Sequence, residues 1–313
     1  MDLGIQIEPQ FGFSYDDIVG IARAGEHAGF TRLWLSDHLF LDAASSGTDC
    51  LEAWTALAAV ARDTTTIRIG PMVSCQSYRN PALLAKIAAG VDRMSGGRLE
   101  FGIGAGWKEI EYRAYGYEFP AASVRVDELV DTLEICTRMW TEPKATYAGK
   151  RYAVTDALCA PKPLQSPLPI WIGGSMPRVM RIAARYANWV NHTAGDKTLA
   201  GMRSRQAALD ETCRSMKRDP KTLHRSAFLS IVVGATTRDV DALVADAAAQ
   251  ARQTPDEWRA ARPAAIVGTP DAVAARLREY ETVGIEHTNA LFPFTREIEM
   301  VGLLGQRVVP QLA

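Results

Sequence analysis

The chain alternates between two hydrophobic rhythms. Short apolar runs of β type are followed by stretches whose apolar residues recur every three or four positions, often with glycine between the two. LGIQI (3–7) is the first run. Ser14 then opens a helix, with Asp17 three residues on in a capping-box pattern and Ile18, Ile21, Ala22 and Gly25 on its inner face. Gly29 ends that helix, because glycine accepts the left-handed cap, and RLWLS (32–36) follows at once. IRIGPMV (67–73) is the third run. Asn80-Pro81 opens the next helix, with asparagine as N-cap and proline in the first turn. LEFGIGAGWKEIEY (99–112) holds the fourth run. A long helix is expected over 123–140, with Val126, Leu129, Val130, Leu133, Cys136 and Trp140 on one face. The remaining runs are PIWIG (169–173), WVNH (189–192), SAFLSIVV (226–233) and HTNALF (287–292), and a last helix runs from Thr269-Pro270 to Gly284.

Eight such runs alternating with helices predict an all-parallel sheet, and eight strands close a barrel. The expected fold is therefore α/β: a (β/α)8 TIM barrel filling residues 1–313 as one domain, with a doubly wound open sheet as the alternative. The rhythm breaks twice. Residues 141–167 carry a hairpin pattern around Ala148-Gly149 and the proline-rich APKPLQSPLP, and residues 251–265 show no period. Both are read as insertions, after strands four and seven.

Composition narrows the function classes. The formal net charge of −1 leaves no electrostatic footprint for nucleic acid or an anionic membrane. No apolar stretch approaches the ~20 residues of a membrane span, and MDLGIQIEPQ does not read as a signal peptide. Cys50, Cys75, Cys136, Cys159 and Cys213 are odd in number and form no CxxC pair. Reduced thiols in a cytoplasmic protein are expected, with no zinc site.

LEFGIGAGWKEIEY poses the question of a dinucleotide turn. That fingerprint is GxGxxG after the first strand of its unit, with an acidic residue about 20 positions later. Here the spacing is GxGxGW, it follows the fourth strand, and the chain 20 residues on lies inside the long helix. The dinucleotide reading fails on each count. The glycines form an ordinary turn or let the backbone approach something closely. Glu109 and Glu111 read as the acidic first turn of the next helix. In IGGSMPR (172–178), Gly173, Gly174 and Ser175 precede a helix start and suit a phosphate, with Arg178 one turn inside; GGS is equally an ordinary loop. In the first strand Leu3, Ile5 and Ile7 share one parity and face the helices. Gln6 and Glu8 then point into the barrel near its C-terminal rim, where barrel active sites lie. Glu8 is either a general acid or base or part of a structural ion pair. Strand two ends in Ser36-Asp37-His38, a proton-transferring histidine beside a carboxylate, or a surface turn. Asn191-His192 is a weaker version of the same signal.

Taken in order, these segments resemble the luciferase-like monooxygenase superfamily, in its branch of oxidoreductases dependent on the deazaflavin coenzyme F420. The matching pieces include GFTRLWLSDH (29–38), EAWTALAAVARDTTTIRIGPMV (52–73), RNPALLAKIAAGVDRMSGGRLEFGIGAGWKEIEYRAYGYEF (79–119), PLPIWIGGS (167–175) and VGTPDAVAARLREYETVGIEH (267–287). The resemblance implies a TIM barrel, a homodimer, and a ring lying over the C-terminal rim. It implies a non-prolyl cis peptide at Met72-Val73 against that ring. It places Asp37 and His38 at the ring, Gly104, Ala105, Gly106 and Trp107 beside the cofactor chain, and Gly173, Gly174 and Ser175 at its phosphate. His38, Glu8 and Asp37 are the expected catalytic groups, acting on a small organic substrate. FMN with O₂ is the alternative cofactor chemistry, and a non-catalytic flavin-binding protein a third reading. Two departures stand out. Gln6 occupies the place of a strand-one Glu of some relatives, and Asp42 that of a Trp in the sugar-phosphate dehydrogenases. No basic cluster for a substrate phosphate is visible in the sequence.

Overall fold

A computed structural model describes residues 1–174, 176–193 and 195–312. The eight expected runs become eight barrel staves: β1 (Asp2–Ile7), β2 (Arg32–Leu35), β3 (Arg68–Pro71), β4 (Phe101–Gly104), β5 (Ile170–Gly173), β6 (Trp189–His192), β7 (His224–Val233) and β8 (His287–Leu291). All pair in parallel, in the order β3-β2-β1-β8-β7-β6-β5-β4. The third stave is not the continuous 67–73 run expected. It breaks at a cis Met72–Val73 peptide, at the position the resemblance implies, and resumes as Ser74–Cys75. That continuation pairs with β4, and Ile69 bridges Leu99, so the broken stave closes the ring. Closure packs backbone on backbone. A Cβ on Gly70 would run into the Glu100 carbonyl, and one on Gly102 into the Pro71 carbonyl.

Parity along β1 is as expected. Leu3, Ile5 and Ile7 are buried in the apolar layer shared with Ile18 and Ile21 of helix 15–28, which Ser14 and Asp17 cap as a full capping box. The lower barrel interior is a surprise. Instead of aliphatic layers it holds Trp34, Trp171 and Trp189, the last two stacked at 4.4 Å, with a buried charged group among them. Arg32 bonds Asp2 at 2.8 Å and reaches Glu100, Arg68 also pairs with Glu100, and Trp171 Nε1 donates to Glu100 at 2.5 Å. Such a buried set is tolerable because each charge has a partner of opposite sign. It fills the barrel floor and leaves the C-terminal rim as the open end.

The 141–167 excursion contains the expected hairpin, Ala145–Ala148 with Ala153–Ala157. The 251–265 segment is more ordered than its lack of period suggested. Thr254 and Glu257 form a capping box for a helix at Pro255–Ala261, and Ile266–Gly268 then pairs in parallel with β7. No helix of the described residues is long and apolar enough to cross a membrane.

Candidate active site

The C-terminal rim carries a cavity of about 500 Å³. Among the residues around it are Glu8 just past β1, Asp37 and His38 just past β2, Met72 and Val73 in the broken stave, Gly104 to Trp107 after β4, and Gly173 and Gly174 at the end of β5. The topology thus brings together every expected site residue that the structure describes. Ser175 lies outside the described residues.

His38 is held by a residue the sequence reading had dismissed. Its Nδ1 lies 3.0 and 3.1 Å from the two carboxylate oxygens of Glu111. Glu111 does sit in the first turn of a short helix, Glu109–Ala114, but faces inward and is fully buried. It also accepts from the Leu39 backbone N–H at 2.9 Å, the Tyr78 hydroxyl at 2.8 Å and Lys108 Nζ at 3.2 Å. Burial alone would raise its pKa. The hydrogen bonds and charge of His38, with those of Tyr78 and Leu39, outweigh burial and hold it at about 2. An ionised Glu111 fixes Nδ1 of His38 as the donor, which leaves Nε2 for the cavity. Trp107, 71% exposed, sets its ring edge-on to the imidazole at 5.6 Å.

Glu8 sits in a different environment. Gln6 Nε2 donates to it at 3.0 Å and Gln10 Nε2 at 2.5 Å, while the Gln10 carbonyl accepts from Ser36 Oγ at 2.8 Å. Burial pushes the Glu8 carboxyl above its ordinary range despite the nearby His38 and these donors. Gln6 thus serves as a hydrogen-bond donor to Glu8. The cavity thus borders a carboxylate held ionised beside a histidine and a second carboxyl that burial pushes above its ordinary range. Such a divergence marks acid–base sites.

Asp37 is differently employed. Its Oδ2 accepts from Ser74 Oγ, Cys75 N and Arg79 Nη1 at 3.0, 2.9 and 2.7 Å, and its Oδ1 from Arg79 Nη2 at 2.8 Å. Arg79 also pairs with Glu52. This clamp ties the end of β2 to the resumed third stave.

The glycines after β4 have a protein partner. A Cβ on Gly104 would stand 2.7 Å from Val73 Cγ2, and one on Gly173 would stand 2.9 Å from Val73 Cγ1. Gly106 has φ of 77° and lies against Tyr112 and Cys75. The three glycines that suggested a nucleotide turn make room for the third stave and its Val73 side chain. Helix 177–186 begins beside the cavity with Pro177, and among the described residues no side chain caps it, which leaves its first N–H groups suited to an anion. Arg178 is committed to Asp127 at 2.8 Å. His192 is buried beside Arg205 and Gln206, is pushed down to about 4 mainly by burial, and does not line the cavity. Two further hollows lie nearby: one under helix 255–261, lined among others by Phe11 and Phe292, and a smaller one that places Lys197 and Arg262 together.

A parallel β/α barrel with polar groups converging at its C-terminal rim has the layout of a barrel enzyme. The model of the luciferase-like monooxygenase family matches residues 2–287, and the chain belongs to that family. Among curated relatives, it is 31% identical to an F420-dependent hydroxymycolic acid dehydrogenase of Mycobacterium tuberculosis over 71% of this chain, an alignment that spans 60% of the relative. It is 24% identical to an F420-dependent glucose-6-phosphate dehydrogenase of Amycolatopsis mediterranei, over 96% of this chain and 95% of the relative. A 5,10-methylenetetrahydromethanopterin reductase of Archaeoglobus fulgidus is 26% identical over the whole of both chains. Solved structures of like fold include an F420-dependent secondary alcohol dehydrogenase (TM-score 0.83, 19% identity, 100% and 99% coverage). The monooxygenase RslO1 of Streptomyces bottropensis is another (TM-score 0.85, 20% identity, full coverage of both).

Proposed function

We propose that this chain is an oxidoreductase that uses coenzyme F420 and moves a hydride to or from a small organic substrate at the barrel rim. The rim cavity itself carries this reading: it joins the His38–Glu111 pair and Glu8 to the start of helix 177–186, which no described side chain caps. The residues fit the cofactor. Val73, with Gly104 and Gly173 behind it, gives a flat apolar face. The open N–H groups at 177–186 suit a phosphate, and Gly104, Ala105, Gly106 and Trp107 border the path between. When bound, the deazaflavin ring supplies the hydride chemistry at C5. The protein's task is orientation and proton control. His38, its Nδ1 fixed by Glu111, presents Nε2 to hold or move the substrate proton. Glu8, whose carboxyl burial pushes above its ordinary range, is the second proton site. Asp37 positions: its lone pairs are engaged by Ser74, Cys75 and Arg79.

Titration of the purified protein with F420 and with FMN tests the cofactor; tight FMN binding without F420 binding would overturn this reading. His38→Ala should then lower turnover much more than cofactor affinity, and equal losses would remove its proton role. A reduced-flavin monooxygenase is the second reading, favoured by the fold it shares with RslO1. Product analysis with reduced FMN and O₂ distinguishes it.

A homodimer completes the proposal. Helices Ala53–Asp63 and Pro81–Met94 flank an apolar groove of about 680 Å³ whose surroundings include Met94, Tyr115 and Tyr117, all at least partly exposed. Sedimentation tests it. The five free thiols support a cytoplasmic setting.

A further inference from the structure

A second rim cavity, of about 590 Å³, lies between the loops after β1, β2 and β8 and the insertion that follows β7. Its lining is dominated by rings and aliphatic groups: Phe11, Leu41, Trp258, Phe292 and Phe294. The volume falls within the range of small-molecule sites. Two of these residues are tied to the chemistry by the chain itself. Phe11 follows Glu8 by three positions, and Leu41 follows His38 by three. On β7, Phe228 borders the cofactor-side cavity, and Ser230, the next residue of the same parity, borders this one. The two cavities therefore neighbour each other along one stave.

The roof is built for the purpose of covering. Helix 255–261 is pinned at its start by the Thr254–Glu257 capping box, and its Trp258 is 5% exposed. Arg262 lies over the Trp258 ring at 4.8 Å and donates to the Gln253 side chain at 3.0 Å and the Trp258 carbonyl at 3.4 Å. The one charged side chain on the lining thus braces the roof. On the floor, Phe294 packs edge-on to Phe13 at 4.8 Å and to Phe11 at 6.3 Å, which fixes the rings without closing the space. Ser230, Gln250 and Thr295 supply a few neutral polar groups.

We propose that this cavity is the substrate subsite and that it takes a neutral, largely apolar ketone or enone, or the matching alcohol, instead of a sugar phosphate. This rests on the hydride-transfer reading above. An apolar body would replace water against five hydrophobic side chains, while the neutral polar groups can bond one carbonyl or hydroxyl oxygen. A phosphorylated sugar would bring a dianion to a lining whose one cation, Arg262, spends its Nη1 on the Gln253 side chain and the Trp258 carbonyl, and would strip water from several hydroxyls against a mostly apolar wall.

Calorimetric titration of the cofactor-free protein with cyclohexanone, 1-tetralone and progesterone, and separately with glucose 6-phosphate, tests the proposal. At least one neutral ketone should bind, with a negative heat-capacity change, and glucose 6-phosphate should not compete with it. Ala251→Trp, which places an indole in the cavity from an exposed position, should weaken ketone binding at least tenfold. Leu41→Arg, on an exposed loop, should do likewise if the first variant folds poorly. The proposal is overturned if none of the ketones binds, if either folded variant leaves their binding unchanged, or if glucose 6-phosphate displaces them. F420 titration of the same proteins is the separate readout. Loss of F420 binding in the wild type would sink the hydride-transfer reading while leaving the ketone result to stand on its own.

Discussion

Glu111→Gln is the sharpest perturbation the structure offers. The change is nearly isosteric, so packing is kept while the buried negative charge is lost. An amide can still accept from the Leu39 N–H or Tyr78, yet its NH₂ must face at least one donor. His38 Nδ1 and Lys108 Nζ are the groups left without a counter-charge. Removing one partner from a buried ionic set costs about 3–5 kcal/mol, and somewhat less here because Lys108 keeps its bond to the Phe40 carbonyl. The catalytic effect follows from the imidazole. Without the Glu111 carboxylate nothing fixes Nδ1 as the donor, so the role of Nε2 at the cavity is no longer set. Acid–base groups of this kind contribute ~10²–10⁴-fold, and we expect a loss of ~10²–10³-fold in turnover. That equals about 3–4 kcal/mol in the barrier. Cofactor affinity should change less than about threefold, because no cofactor contact is assigned to Glu111. The assay is pre-steady-state reduction of the bound deazaflavin across pH, beside a binding titration of the same variant. The stability data carry a sign as well. A carboxylate held at about 2 contributes stability above its unfolded pKa, and that contribution disappears as pH falls from near 4.5 towards 2. Glu111→Gln should flatten the acid limb of the melting curve. Unchanged turnover in a well-folded variant, or equal losses of turnover and cofactor affinity, would refute the assignment of Glu111 as the residue that positions His38.

Three further outcomes follow from the same structure. Gly104→Ala places a methyl 2.7 Å from Val73 Cγ2 and should destabilise the fold by about 1–3 kcal/mol, read by denaturant unfolding; a neutral effect would show that the third stave yields easily. Arg79→Met strands Asp37 in a buried site and should cost about 3–5 kcal/mol, and Asp37→Asn with it should recover part of that loss in a double-mutant cycle. Glu297, 5% exposed, is pushed up to about 7, chiefly by burial. The folded state therefore binds the extra proton between about pH 4.5 and 7, and stability falls as pH rises through that window. Glu297→Gln should raise stability at pH 8 by up to about 3 kcal/mol and leave it unchanged near pH 4; melting at the two pH values checks it.

The fold was legible because its signals are local and repeated. Each stave is a short apolar run, and the helix starts at Ser14 and Asn80 carry their own caps. The break in the third stave had no such local signal. IRIGPMV reads as seven continuous strand residues, and the interruption at Met72–Val73 shows only through the family likeness. Helix 255–261 was missed for another reason. Seven residues give too short a window for a period, although the Thr254–Glu257 capping box stood in the sequence. The tryptophan and ion-pair floor was illegible because Asp2, Arg32, Glu100 and His287 come from distant parts of the chain and meet only when the sheet closes into a barrel.

The site divides along the same line. Glu8, Asp37 and His38 could be placed at the rim cavity because each stands at a strand end, and in a parallel barrel all such ends share one rim. What the sequence withheld was their separate duties, since a duty depends on which partners fold against a side chain. Asp37 and Glu111 are both buried carboxylates with several donors. Yet the partners of Asp37 are a guanidinium, a hydroxyl and a backbone N–H that never change their proton state, whereas Glu111 faces an imidazole that can. The first arrangement can only hold a loop in place; the second couples a fixed charge to a mobile proton. Glu111 had looked like ordinary helix-start acidity because a six-residue helix presents too few positions to reveal its inner face. Its partner, His38, lies 73 residues earlier in the chain. The glycines of GIGAG point to the same conclusion from the other direction. Their absent side chains accommodate Val73 and the closing stave, so the motif that looked most like a cofactor signature serves first to shape the wall that would face the cofactor.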